Sequence, residues 1–464
     1  MSLPSSIDYT KILPIAAGNP RAMRRTFLPV NGQSFNAAGN NIVRIEISAD
    51  QFWDPLHSYL RFDVTNGANT CGADFGGGHG FIRRLRLEQA GNVIMDTNRY
   101  DRLLSAILLP CQSGADSQAH RSITEMQTYG NSVAAAAINT PAAVAVADGG
   151  YLTAIANDST QIAALATTQY CIPLVGGLFS QEKLVPLQLL SSSPLTIEIE
   201  LSPAADAMVS AGGGNTDYTM SNIRYIASLV DVSPDVDAQV RMVQEMSGGH
   251  IVLNSTDYTH FNGNIPANAV GMQAINVPAR RKSMKSLLWV GASQTALNFL
   301  NYRNSFGGGL NLNSYHAKIG SVNHPATPVE ANFNVNGPGG TALNGRGEAF
   351  MELSKCFGTT GSVIGLGQLN RMNYAVRTGT AAEGRTAAST PFHFAPMGLD
   401  LEAFQRTAIE SGVNTADRST PITLVLDIGT GAAGAIPEAL NIDCYVSFDS
   451  LYYIDSTGII SVSH

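Results

Sequence analysis

The chain has 464 residues, with 28 Lys and Arg against 36 Asp and Glu for a formal charge of −8, and only 14% are charged, where soluble domains carry about 25%. Hydrophobic residues stand at 44%, and 45 glycines help make up the missing charge, so the surface is polar but weakly charged, as suits a chain covered by copies of itself. No run approaches about 18 apolar residues, Met1 to Asn19 lacks a signal-peptide pattern, Cys71, Cys111, Cys171, Cys356 and Cys444 form no C-x-x-C pair, and net acidity opposes general nucleic-acid binding; the expectation is an intracellular chain of two to four domains with reduced thiols and no zinc site.

Strand signals dominate from the start. Asn41 to Ser48 alternates Val43, Ile45 and Ile47 against Ile42, Arg44 and Glu46, the period of two expected when one sheet face is buried. His57 to Val64 does the same with Leu60, Phe62 and Val64. Phe81 to Glu88, the turn Ala90-Gly91-Asn92 and Val93 to Met95 predict a hairpin. Asn98 to Leu109 predicts a helix with Tyr100, Leu103, Leu104 and Ile107 on one face, capped by Asp96 or Thr97 and ended by Pro110. Gln112 to Tyr170 and Asn301 to Gly347 dissolve into small residues and read as long loops, functional or tolerated. Ser233-Pro234 opens a second helix carrying Val236, Val240 and Val243 and closing at Gly248-Gly249.

An internal repeat organises these elements. An offset of 227 superposes Pro194 on Pro421, Thr196 on Thr423, Ile199 on Leu426, Ala205 on Ala432, Tyr218 on Tyr445 and Tyr225 on Tyr452 without a gap. Strand, loop length and strand agreeing together point to duplication of one β module. The expected layout is an arm over 1–30, one module over 31–233, a linker helix over 234–249 and a second module over 250–464. Unequal connections and few helices favour an antiparallel sandwich, and among sandwiches the jelly roll tolerates long loops best. The fold class expected is all-β, two tandem eight-stranded antiparallel jelly rolls with short helices and long loops.

Two blocks carry a resemblance. Phe81 to Met95 (FIRRLRLEQAGNVIM), followed by Asn98-Arg99-Tyr100, looks like the early strand pair and helix of double jelly-roll major capsid proteins of DNA viruses, such as polinton-like viruses, virophages and nucleocytoplasmic large DNA viruses. Cys171 to Leu174, Gly177 to Phe179, Leu184 to Leu189 and Leu195 to Leu201 are similar to a stretch late in that family's first jelly roll. The resemblance implies a virion structural protein without catalysis or cofactor, made inside a host cell. It further implies homotrimers that are pseudo-hexameric capsomers of an icosahedral shell around a DNA genome, with the chain itself, neighbouring trimers, and penton and minor capsid proteins as partners. It also implies a role for the N-terminal arm, where Lys11, Arg21, Arg24 and Arg25 face a single acid, Asp8, for a local charge of +3. Such an arm points to the shell interior, towards an inner membrane or packaged DNA, or clasps a neighbouring trimer; a frayed, solvated terminus is the alternative.

Other candidate sites are weaker. Gly429-Thr-Gly431-Ala-Ala-Gly434 has dinucleotide-loop spacing, but Pro437 stands where the helix would run. The nine histidines show no metal-ligand spacing, and His250 and His260 read as solvent or packing residues. Arg83, Arg84 and Arg86 form a basic strip, with Arg84 and Arg86 expected to share a face with Ile82 and Glu88. Glu198 and Glu200 share a face as a carboxylate pair would, although a solvated face serves as well. The competing function is a carbohydrate-binding or carbohydrate-active β-sandwich, for which Trp53 and Trp289 are a thin stacking inventory.

Overall fold

The computed structural model describes residues 20–69, 71–112, 121, 123–125, 163–190, 193–209, 217–232, 234–293, 304, 312–331, 346–358, 369, 374, 395–404, 409–417, 421–429 and 439–463. Along the first half run β1 (Arg21–Phe27), β2 (Ser34–Phe35), β3 (Ile42–Ile47), β4 (Phe52–Asn66), β5 (Gly72–Ala73), β6 (Ile82–Gln89), β7 (Asn92–Asn98), β8 (Thr167–Ile172), β9 (Val185–Pro186), β10 (Leu195–Leu201), β11 (Met208–Val209) and β12 (Tyr218–Asp231). The second half holds β13 (His250–Ile265), β14 (Gly271–Asn276), β15 (Met284–Ser293), β16 (Leu312–Ile319), β17 (Val322–Glu330), β18 (Met397–Asp400), β19 (Ile422–Ile428), β20 (Leu440–Asp455) and β21 (Ile460–Ser463).

The strands form the same pair of sheets twice. In the first half the orders are β1-β12-β4-β8 and β3-β10-β6-β7; in the second they are β13-β20-β15-β18 and β14-β19-β16-β17. Counting only these eight strands of each half in chain order, both halves read 1-8-3-6 and 2-7-4-5. This is an eight-stranded antiparallel jelly roll, made twice. The offset of 227 carries Leu195–Leu201 onto Ile422–Ile428 end to end, and β10 and β19 hold the same place in their sheets.

The alternating pattern makes the cores. Val43, Ile45 and Ile47 of β3 and Leu60, Phe62 and Val64 of β4 all point inward, while Arg44 and Glu46 stay exposed. Each buried side chain of this size contributes roughly 1.5–3 kcal/mol of transfer free energy. Each jelly roll buries one tryptophan. Trp53 meets Phe179 and Tyr225 edge-on, with centroids 5.9 and 6.2 Å away, and Trp289 meets Tyr315 at 4.8 Å.

Several local expectations need correction. The β6–β7 hairpin forms, with Ala90 (φ 51°) and Gly91 (φ 81°) as its left-handed corner residues. The helix after it begins at Tyr100 rather than beside Asp96 or Thr97, which belong to β7. Asp96 is held by Arg84 at 2.6 Å and is not free to cap, and left-handed Arg99 makes the turn instead. Leu103–Leu108 is wound as a π-helix, with Leu109 N–H donating to Leu104 O, and Pro110 lies inside the closing turn Leu109–Gln112 instead of ending the helix. Within the expected loop 301–347, Leu312–Ile319 and Val322–Glu330 form a hairpin, because Leu312, Tyr315, Ala317 and Ile319 reach the core. Residues 21–27, placed in the arm by sequence, form β1 at the end of a sheet. The helix Pro234–Met246 stands between the halves, but Val243 is exposed and Gln244 is the residue turned inward, its Nε2 donating to Ile454 O at 3.2 Å. The stretch 126–162 of the first small-residue region and Ser233 lie outside the described residues.

Candidate assembly surfaces

The two jelly rolls meet along a buried polar seam. Arg102 comes from the helical segment after β7 and is fully enclosed. Its Nε donates to Asp443 Oδ2 at 2.8 Å, its Nη1 to Asn304 O at 3.1 Å and its Nη2 to Gly291 O at 2.6 Å, all in the second half. His260 Nε2 stands 2.9 Å from the other Asp443 oxygen. Burial alone would raise the Asp443 carboxyl, but the His260 hydrogen bond and the Arg102 and Arg99 charges outweigh it and hold it at about 2. Asp443 is therefore a carboxylate, and its charge is met by the Arg102 and His260 side chains. Beside it Arg99 reaches Asp101 (3.3 Å) and Asp206 (3.5 Å), and Tyr445 Oη donates to Arg99 O at 2.9 Å. At the other end Gln89 Nε2 donates to Gly458 O at 2.8 Å and its Oε1 accepts from Ile460 N–H at 2.8 Å.

A cavity of about 950 Å³ opens beside this network, lined among others by Arg83, Asn98, Asn262, Asn276 and Asp443. Arg83 is aimed there by a β-bulge. Glu200 pairs with Arg84 but the next residue, Leu201, pairs with Ile82, so Arg83 is the extra residue of β6. The bulge also corrects the predicted face, since Ile82 is buried while Arg84 and Arg86 lie part-exposed with Glu88.

The basic strip is largely neutralised. Arg84 holds Asp96, Arg86 reaches Glu88 at 2.7 Å and Glu198 at 3.6 Å, and Arg44 grips Glu198 at 2.8 Å. Glu198 thus belongs to a charge ladder across β3, β10 and β6 rather than to a matched acid pair with Glu200. Of the arm residues, Arg21, Arg24 and Arg25 lie exposed on β1, where Arg21 pairs in register with Asp231 and Arg24 Nη2 donates to Tyr59 Oη at 3.2 Å. Lys11 lies outside the described residues, as does the glycine loop beyond Gly429. Trp53 and Trp289 are wholly buried, so neither offers a stacking platform for a sugar. His250 is exposed, whereas His260 is a buried member of the seam. Among the described residues no group of three His, Cys, Asp or Glu side chains could hold a metal, and no helix is long and apolar enough to cross a membrane.

The seam residues carry no sequence motif. The available signal was Asp101-Arg102, a charged pair inside an otherwise apolar helix, since such a residue is rarely enclosed without a partner.

No protein-family model matches the sequence, and no curated protein matches it. Solved structures do. The Faustovirus major capsid protein is similar with a TM-score of 0.57 at 9% identity, over 95% of this chain and 92% of that chain. PBCV-1 VP54, fitted into a reconstruction of the virophage Sputnik, gives 0.56 at 11% identity over 98% and 99%. The mavirus major capsid protein gives 0.54 at 8% identity over 100% and 95%. At such identities the likeness is one of fold: this chain has the double jelly-roll fold of those viral major capsid proteins.

Proposed function

We propose that the chain is a viral major capsid protein whose homotrimers are pseudo-hexameric capsomers of an icosahedral shell around a DNA genome, with a structural role and no catalytic step. The observation that carries this reading is the duplication itself: two jelly rolls of identical strand order on one chain let three copies present six similar barrels, which tile a hexagonal lattice. The low charge supports it, because a surface with 14% charged residues can be covered by neighbouring copies without stranding unpaired ions. In this reading the arm expected over 1–30 gives residues 21–27 to the first barrel as β1, that barrel runs on to 233, 234–249 joins the two, and 250–464 is the second barrel. Lys11, Arg21, Arg24 and Arg25 reach the shell interior, where packaged DNA or an inner membrane lies, or a neighbouring trimer. Penton and minor capsid proteins complete the shell, and the chain resides in the virion.

Light scattering and negative-stain electron microscopy of the purified chain test this. The expected result is a trimer mass and a particle of three or six lobes. A monomer that persists at high concentration sinks the proposal.

A further inference from the structure

We infer that the open edge of β14, with the cavity beside Arg83, is a docking site for an extended segment of a second and different protein, which adds to β14 as an outer strand and sets a carboxylate on Arg83. The site stands apart from the capsomer reading and needs only the fold.

The first jelly roll covers the equivalent edge with its own chain. After Phe27, opposite Tyr225, the chain leaves β12 for β3 and returns to β12 only at Ser34, opposite Ser221. On the way Pro29 bridges to Ile45, and Val30 N–H donates to Arg44 O at 2.9 Å. The Asn31 side chain donates to Ile42 O at 2.8 Å and accepts from Arg44 N–H at 3.0 Å. The outward backbone groups of β3 are met in this way, which keeps an edge strand from pairing with another chain.

The second jelly roll has no such cover among the described residues. Leu253 opposite Tyr452 and Asp257 opposite Phe448 are the counterparts of Phe27 and Ser34, but four steps separate them where seven separate Phe27 from Ser34. β13 therefore runs straight past, without the extra residues that would reach β14. By register on β19, Met272 and Ala274 stand where Ile42 and Arg44 stand on β3, so their N–H and C=O groups point away from β19. Among the described strands β14 pairs with β19 alone. Met272 is 76% exposed, and Ala274 and Asn276 are exposed as well.

Ala274 and Asn276 also line the cavity of about 950 Å³, together with Arg83 and Asn98 of the first jelly roll. The other two arginines of the cavity have acids, Arg99 reaching Asp101 and Asp206 and Arg102 holding Asp443. Arg83 has none among the described residues and is the surplus cation of the cavity. A guanidinium beside an unpaired strand edge fits an extended acidic segment, whose main chain adds to the strand while a carboxylate takes the arginine fork. About five extended residues, roughly 17 Å, run the length from Met272 to Asn276. A second copy has no such segment to offer from the equivalent place, since Pro29 to Asn31 is already engaged on β3 and holds no acid. The partner is therefore a different protein, with Asp or Glu in a run free of proline.

The test pans a heptapeptide phage library on the purified full chain and measures the selected peptides, synthesised with a fluorophore, by fluorescence anisotropy. The selected peptides are expected to share Asp or Glu at one position. N-methylation at alternate residues is expected to abolish binding in one register and spare it in the other, as an added strand requires. Arg83→Gln and Ala274→Pro are each expected to weaken binding about tenfold or more with melting profiles unchanged. The proline removes an N–H that faces away from β19, so the ladder to β19 stands; Ala274→Ser keeps that N–H and is expected to bind as the wild type does. An absence of selected peptides, selected peptides without a shared acid, binding that survives Arg83→Gln, or equal loss in both methylation registers overturns the site. A peptide of residues 1–19 that binds more tightly than the selected ones, with the same two losses, overturns the choice of partner and gives the edge to this chain's own arm.

Discussion

Asp257 is the side chain whose protonation the fold changes most usefully. It is buried beside the seam with the Tyr258 N–H donating to its carboxyl at 2.8 Å. Burial, opposed by that hydrogen bond and by Arg281 and reinforced by Asp96, raises its pKa from 3.8 to about 7. A carboxyl raised in the folded state binds its proton more tightly there, so its stabilisation is complete below the unfolded value and is lost as pH rises towards 7. The buried His79, lowered by burial to about 4, acts in the opposite sense over the same window, losing stability as pH falls below 6.5. The difference between wild type and Asp257→Asn isolates the carboxyl. That variant keeps the acceptor oxygen and is expected to flatten the Asp257 part of the pH dependence of denaturation midpoints between pH 4 and 7, a contribution of a few kcal/mol. Identical pH profiles for the two proteins would remove the assignment. Arg102→Met is expected to cost about 3–5 kcal/mol in urea titrations, because Asp443 keeps its burial and loses its guanidinium. Replacing both Arg102 and Asp443 with apolar residues is expected to cost less than Arg102→Met alone.

At the scale of the element, the close approach at Gly177 makes a sharp prediction. Its φ of +50°, and the two atoms that would lie within 2.8 Å of a Cβ there, leave no room for a side chain, so Gly177→Ala is expected to lower stability by about 1–2 kcal/mol and to raise protease cutting near 177–180. The β1 arginines make another: Arg21→Ala with Arg24→Ala and Arg25→Ala is expected to leave the melting temperature within error and, on the proposed capsid role, to shift the salt range of self-association read by sedimentation. Which strands exist was legible in the sequence wherever one face is buried, as in β3, β4 and β10, because alternation survives any choice of partner. The repeat showed that β10 and β19 are equivalent. Three features were not legible. The bulge at Arg83 depends on which residue of β10 lies opposite. The π-helix at Leu103–Leu108 follows from packing rather than from residue type. The Arg102, Asp443 and His260 cluster joins residues more than 150 positions apart, and no local period records that.

The whole molecule is two barrels whose shared seam was built from both, so neither is complete alone. Residues 250–464 expressed by themselves expose Asp443, Asp257 and the inner side of β13, and the expected outcome is an aggregating or loosely packed fragment, seen as poor dispersion in NMR spectra. Rescue by adding residues 1–249 in trans would show that the seam reforms without the covalent link. The seam also sets a clock. Arg102 and Asp443 are 341 residues apart, and Gln89 and Ile460 are 371 apart. At synthesis rates of about 5–20 residues per second, Arg102 leaves the ribosome roughly 20–70 s before its carboxylate exists. Within that interval Gly291 and Asn304, whose carbonyls also accept from Arg102, are made before Asp443, so the guanidinium gains carbonyl partners before its charge is met. The strand that carries Asp443, β20, therefore decides when the buried arginine of the first barrel meets its charge partner, and until that strand is made the seam stays open to chaperones and proteases.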